Sequence, residues 1–171
     1  DSLVARILAA LASRPELANT WIVVTGDHAE EFNENGLGYW GHGGNYSRWQ
    51  VQTPLLVKAP RQTQGAVEPR LSTHQDVVPT LMKSALGCDS PLENFSNGQN
   101  LFALPEGRST VVASYKSTAY VIDGTVIDKM TRKKYDFNDM NQVRSMPEPA
   151  RVNALMKEER RFMSATDGVS R

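Results

Sequence analysis

Cysteine is almost missing from this chain: Cys88 is the only one in 171 residues. No internal disulfide can brace the fold, and cysteine usage leaves the redox compartment open. A charge excess is missing as well. Lysine plus arginine and aspartate plus glutamate both number 19, which argues against a general nucleic-acid binder, since such domains carry a basic surplus. No apolar run approaches the roughly 20 residues a membrane helix needs, and no secretory leader opens the chain. The first residue is Asp1 rather than methionine, inside a segment of helical pattern, so the chain is expected to be a piece of a longer protein. No repeat, P-loop, dinucleotide fingerprint or G-x-S-x-G elbow occurs. What remains is 40% hydrophobic and 22% charged residues, the balance of an ordinary globular chain long enough to bury a core.

Leu3, Val4, Ile7, Leu8 and Leu11 recur at helical spacing and predict an N-terminal helix, with Pro15 ending it or starting the next turn. "TWIVVT" predicts a short strand buried on both faces. Helix, loop and strand make an α/β unit, in which ligands gather past the carboxyl ends of parallel strands. "TPLLVKAP" predicts a second strand. "STHQDVVPTLMKSALG" predicts a helix with Val77, Val78, Leu81, Met82, Ala85 and Leu86 on its apolar face, Asp76 as cap and Gly87 as stop. Residues 90–107 read as a polar surface connection. Beyond them, β-branched residues alternate around Asp123-Gly124, a two-residue hairpin signal, and "RKKYDF" adds a strand. A last helix over residues 149–164 places Val152, Leu155, Met156 and Met163 on one face. The expected class is α/β: a core over residues 1–107, then an antiparallel meander and terminal helix over residues 108–171 of the same domain.

Two of the three histidines fall in one glycine-rich stretch, "GDHAEEFNENGLGYWGHGG". Asp27 and His28 follow the first strand directly. A carboxylate beside an imidazole suits a borderline divalent ion, Zn²⁺ or Mn²⁺, better than Ca²⁺, with further ligands required from elsewhere. The alternative is that Asp27 caps the turn and His28 is a hydrogen-bonded loop residue. Glu30 and Glu31 read as a solvated acidic turn, with an outer-sphere role at a metal as the other reading. His42 sits between glycines that let the backbone approach a ligand closely. It either binds an anionic oxygen or protonates a leaving group, or it packs beside Tyr39 and Trp40. Arg48 either pairs with a phosphate or sulfate or sits at the surface, and His74 reads as structural. No nucleophile is identifiable.

These segments resemble the C-terminal half of the alkaline phosphatase/sulfatase superfamily. "NTWIVVTGDHAEEFNENG" resembles the family's strand and [ST]-D-H-G-E segment, and "WGHGGNYSRWQVQTPLLVKAP" its later H-G loop and following strand. "STHQDVVPTLMKSALG" resembles its S-H-x-D-x-x-P-T-L-L helix, and "KKYDFNDMNQVRSM" its closing Y-D-L-x-x-D tail. "GHGGNYSRWQVQTPL", "LENFSNGQNLF" and "EERRFM" carry a narrower likeness to sulfatase-like inner-membrane proteins of Gram-negative bacteria. The resemblance implies a partial sulfatase-like sheet with flanking helices, preceded by membrane helices, the rest of the sheet and a Thr, Ser or modified Cys nucleophile, in a periplasm-facing domain. It implies Asp27 and His28 as ligands of a divalent metal, and His42 in contact with the transferred group or leaving oxygen. The implied partner is an anionic ester or envelope lipid, with a regulatory protein partner as a further expectation. Ala29 departs from the family glycine. Some inner-membrane relatives lack the metal pair and act as lipid-sensing regulators, so three functions are weighed: a metal-dependent hydrolase or phosphoryl transferase, a catalytically inactive lipid-binding regulator, and a purely structural envelope domain.

Overall fold

The computed structural model describes residues 2–161. Its helices and strands in chain order are α1 (Ser2–Ala12), β1 (Ile22–Thr25), β2 (Glu31–Phe32), β3 (Trp40–Gly41), α2 (Arg48–Val51), β4 (Leu55–Lys58), α3 (Val77–Ser84), β5 (Ser109–Ala113), β6 (Thr118–Ile122), β7 (Thr125–Asp128), β8 (Lys134–Asp136) and α4 (Pro149–Arg161). They fall into two compact units, Asp1–Asp27 with Thr53–Glu68 and His28–Gln52 with Pro69–Arg171. The α/β class is as expected.

In the first unit, β1 pairs with β4 in antiparallel register, from Ile22 opposite Lys58 to Thr25 opposite Leu55. Two expectations are corrected here. Among the described residues β1 has no parallel neighbour, and it is half-buried rather than covered on both faces. An all-apolar run of four reads the same whether one face is covered or two, so pattern alone could not decide. Helix α1 forms as its spacing dictates, yet buries none of its residues; Leu3 is 68% exposed and Ile7 60%.

The second unit is built on the meander β5-β6-β7-β8, every neighbouring pair antiparallel. The hairpin forms where expected: Asp123 and Gly124 both take positive φ, 48° and 72°, as the tight turn between right-twisted strands demands. Strand alternation then loads both faces of the sheet. Ala119, Val121, Val126 and Tyr135 enclose Tyr46 on one face, while Tyr120 and Ile122 meet Leu155 of α4 on the other. The expected apolar stripe of α4 is narrower than its pattern: Leu155 is buried and Val152 packs beside it, but Met156 is exposed. Phe162, Met163 and Ser164 lie outside the described residues.

Helix α3 also differs from its pattern. Pro79 and Thr80 are its buried residues, whereas Val78 and Leu86 are exposed. The cause is the segment read as a surface connection, which in fact covers this helix. Leu104 is buried, and a Cβ added to Gly98 would lie 2.0 Å from the carbonyl oxygen of Gln75. Leu101 N–H donates to Thr80 Oγ1 at 2.8 Å, and Thr80 Oγ1 donates to the Asp76 carbonyl at 2.6 Å. Hydrogen bonding, rather than apolar periodicity, selects the buried face.

Glu159 clamps α4 to the sheet, accepting from Thr118 Oγ1 at 2.7 Å, Tyr120 OH at 2.6 Å and Lys129 Nζ at 2.8 Å. Burial pushes its carboxyl up, but the hydrogen bonds from Lys129, Tyr120 and Thr118 together outweigh burial and bring it down to about 2. A folded-state value below the unfolded one means the stabilisation is fully present above the unfolded range near pH 4.5 and disappears as pH falls through 2. Such a shift converts to about 3 kcal/mol, trimmed to about 2 kcal/mol by water at the partly exposed Lys129. Glu159→Gln is therefore expected to destabilise the protein by about 2 kcal/mol at neutral pH and to flatten the acid limb. Urea midpoints collected from pH 7 to pH 2 check this; an unchanged acid limb would show the clamp to be inert.

Candidate functional site

The chain leaves β1 through Gly26 and Asp27, and the second unit begins at His28. Ala29 N–H donates to the Gln50 carbonyl at 3.2 Å, which anchors the start of this stretch to α2. The next two residues are both glutamates, Glu30 just before β2 and Glu31 its first residue, and their side chains face opposite ways. Glu31 turns inward and is fully buried; Glu30 turns outward. Strand β3 pairs with β2, placing Gly41 opposite Glu31 and Trp40 opposite Phe32. Gly41 has φ 93°, a left-handed conformation that suits glycine, and His42 follows at once beside Glu30.

His42 Nδ1 lies 2.9 Å from Glu30 Oε2. The His28 ring stacks on the His42 ring with centroids 3.8 Å apart and planes 30° apart. His28 Nδ1 lies 2.9 Å from the Ala29 carbonyl oxygen and 3.8 Å from Glu30 Oε2. One ligand atom from each of His28, Glu30 and His42 falls within 4.8 Å of the other two, and all three residues are exposed. An imidazole that gives its Nδ1 proton to a carbonyl or carboxylate keeps Nε2 as a lone-pair donor, the arrangement that orients metal-ligating histidines. Two imidazoles and a carboxylate with an open side are a fitting donor set for Zn²⁺ or Mn²⁺.

The core of the second unit holds the loop behind this cluster. Tyr46 is buried on the meander, and its N–H donates to Tyr135 OH at 3.1 Å; burial pushes the Tyr135 hydroxyl up. Arg48 N–H donates to the Phe137 carbonyl at 2.8 Å. The Arg48 guanidinium reaches Asn138 Oδ1 at 3.3 Å and lies 5.2 Å from the Trp49 ring centroid. None of these partners belongs to the imidazole cluster.

The structure thus brings together His28 and His42 and adds Glu30, which the sequence reading placed in a solvated turn. Glu31 is a plain correction to that reading, being buried with three amide donors around it. The signal for both was the Glu-Glu pair itself, because neighbouring side chains at the entry to a strand diverge. His74 starts a 3-10 turn ahead of α3. Arg108, missed from sequence, forms a bidentate pair with buried Asp76, with both contacts at 2.8 Å. A cavity of about 410 Å³ lies at Ser96, Asn97, Lys157 and Arg161 and shares no residue with the cluster.

The sulfatase family model matches residues 1–88, a stretch that contains Asp27, His28, Glu30, His42, Arg48 and Asp76. An uncharacterized protein of Haemophilus influenzae is 34% identical over 152 residues, covering 86% of this chain and 25% of that protein. Inner membrane protein YejM of Salmonella typhimurium is 24% identical over 168 residues, covering 96% of this chain and 28% of that protein. The chain therefore spans about a quarter of the length of these relatives. Among the described residues, no helix is long and apolar enough to cross a membrane.

Proposed function

This chain belongs to the sulfatase family, and on that premise we propose that it is part of a metal-dependent hydrolase or phosphoryl transferase acting on a phosphate or sulfate ester at the cell envelope. The observation that carries the reading is the cluster of His28, Glu30 and His42, whose donor atoms lie within 4.8 Å of one another. Of these, His28 and Glu30 would hold the ion, and Asp27 joins them through the family motif and its place next to His28 in the chain. A bound Zn²⁺ or Mn²⁺ would supply charge neutralisation at a tetrahedral oxyanion. His42 faces the transferred group and gives its Nε2 proton to the leaving oxygen, with the Glu30 carboxylate beside Nδ1 orienting the ring. Arg48 pairs with an anionic oxygen. The attacking group is supplied by sequence outside this chain. One relative is named an inner membrane protein, and we place this domain at that membrane, facing the periplasm.

A second reading, a catalytically silent regulator that binds an envelope lipid, draws on the cross-strand pair Phe32 and Trp40, which are 64% and 70% exposed on β2 and β3. Metal analysis separates the two. Elemental mass spectrometry of the full-length protein is expected to find near-stoichiometric Zn or Mn, depleted in Asp27→Ala and in His28→Ala. A wild-type protein that stays metal-free after supplementation with either ion would sink the enzyme reading and favour the regulator.

A further inference from the structure

We propose that Glu31 is the positioning residue of the cluster, a buried carboxylate that sets the approach of the two imidazoles from beneath. Its functional meaning rests on the metal-centre reading above, but the positioning itself is a property of the metal-free chain. Glu31 is fully buried. Its Oε1 accepts from Asn35 Nδ2 at 2.8 Å, and its Oε2 accepts from Asn45 Nδ2 and Gln50 Nε2, both at 2.7 Å. Among the described residues no cation reaches it, so amide donors alone offset the loss of water. An apolar side chain would fill the same space at lower desolvation cost. A carboxylate earns its place here only by what it holds.

What it holds is both sides of the cluster. Gln50 Oε1 accepts from Gly44 N–H at 2.7 Å and Asn45 N–H at 3.1 Å, just past His42. The carbonyl of the same residue accepts from Ala29 N–H, just past His28. One residue bonded to Glu31 therefore holds the backbone next to each imidazole, by its side chain beyond His42 and by its main-chain carbonyl beyond His28. Asn45 Oδ1 accepts from Ser47 N–H at 2.8 Å, which closes the loop onto α2. Asn35 ties the knot to the segment after β8, since its Oδ1 accepts from Met140 N–H at 3.1 Å. The register of Glu31 opposite Gly41 also sets Glu30 on the outer face, where it meets His42.

The test is Glu31→Gln in the 171-residue chain, with Gln50→Ala as a second variant and Glu31→Gln/Gln50→Glu as the rescue. A glutamine amide at position 31 must turn its NH₂ toward Asn35 or toward Asn45 and Gln50, so at least one donor meets a donor. The swap restores a donor–acceptor link between positions 31 and 50. Aromatic ¹H–¹³C spectra of the metal-free chain read the ring-current shifts of His28 and His42, and methyl signals of Val121 and Val126 report the sheet. The stacking shift is expected to vanish in Glu31→Gln and Gln50→Ala with the sheet signals unmoved, and to return in the swap. Co²⁺ titration is expected to show affinity lowered by about 10–100-fold in the two single variants. Wild-type ring shifts in either single variant, with the sheet intact, would overturn the proposal; Gln50→Ala serves if Glu31→Gln does not fold. A wild-type chain that binds no Co²⁺ while its ring shifts respond as expected upholds the positioning role and sinks the metal reading instead.

Discussion

Asp76→Ala is expected to destabilise the second unit by about 3–5 kcal/mol, because it strands a buried guanidinium. Asp76 is fully buried and the Arg108 side chain is only 9% exposed. Four donors converge on the carboxylate: both Arg108 Nη atoms at 2.8 Å, Thr73 N–H at 2.7 Å and Gln99 N–H at 2.7 Å. Arg108 Nη1 also donates to the Leu71 carbonyl at 2.6 Å. One side chain thus joins the start of α3, the covering segment around Gly98 and the approach to β5. The size of the loss lies less in the pair's own attraction than in what removal leaves behind, since a buried charge without its partner is the expensive state. Asp76→Leu/Arg108→Leu should accordingly lose less than Asp76→Ala, because both variants orphan the two backbone N–H groups but only the single variant also leaves a buried charge unpaired. Urea unfolding followed by the meander's tyrosines measures both. Equal losses in the single and double variants would mean that the backbone donors, and not the ion pair, carry the junction.

This junction also shows where sequence reasoning stops. Asp76 was expected to cap α3, a local relation between a side chain and the next few residues, but its carboxylate makes no cap bond there and instead accepts from Thr73 N–H in the turn before it. Its main partner lies 32 residues further on, and no local pattern marks Arg108. The same division runs through the fold. The Asp123-Gly124 hairpin and α4 were legible because turn chemistry and helical period act within a dozen residues. The antiparallel pairing of β1 with β4 was not, since strand partners are chosen by tertiary packing. In the site, the motif marked His28 and His42, and the paired glutamates held the information that one faces in. Which one does so depends on the register of β2 with β3, and strands of two residues are too short to show a period.

With the proposed function as premise, His42→Ala in the full-length protein is expected to lower kcat for an alkyl ester by about 10²–10⁴-fold, the usual contribution of a positioned proton donor. The geometry makes the assignment specific. Glu30 holds Nδ1 at 2.9 Å and the His28 ring supports one face of the imidazole at 3.8 Å, so the free nitrogen is oriented without substrate. Proton donation matters in proportion to the basicity of the leaving oxygen. An aryl ester with an acidic phenol needs little help, whereas an alkoxide cannot depart unprotonated. His42→Ala should therefore be nearly silent on 4-nitrophenyl esters and severe on alkyl esters, with the loss in kcat rather than KM. Glu30→Gln should lower kcat on both classes, because it takes a carboxylate from the metal's donor set as well as from beside Nδ1. Arg48→Ala should raise KM for both classes alike, as expected of a residue that grips the anionic group without following the leaving oxygen. An equal loss of kcat on aryl and alkyl esters would assign His42 to oxyanion binding instead, because an anion's grip does not depend on which oxygen leaves.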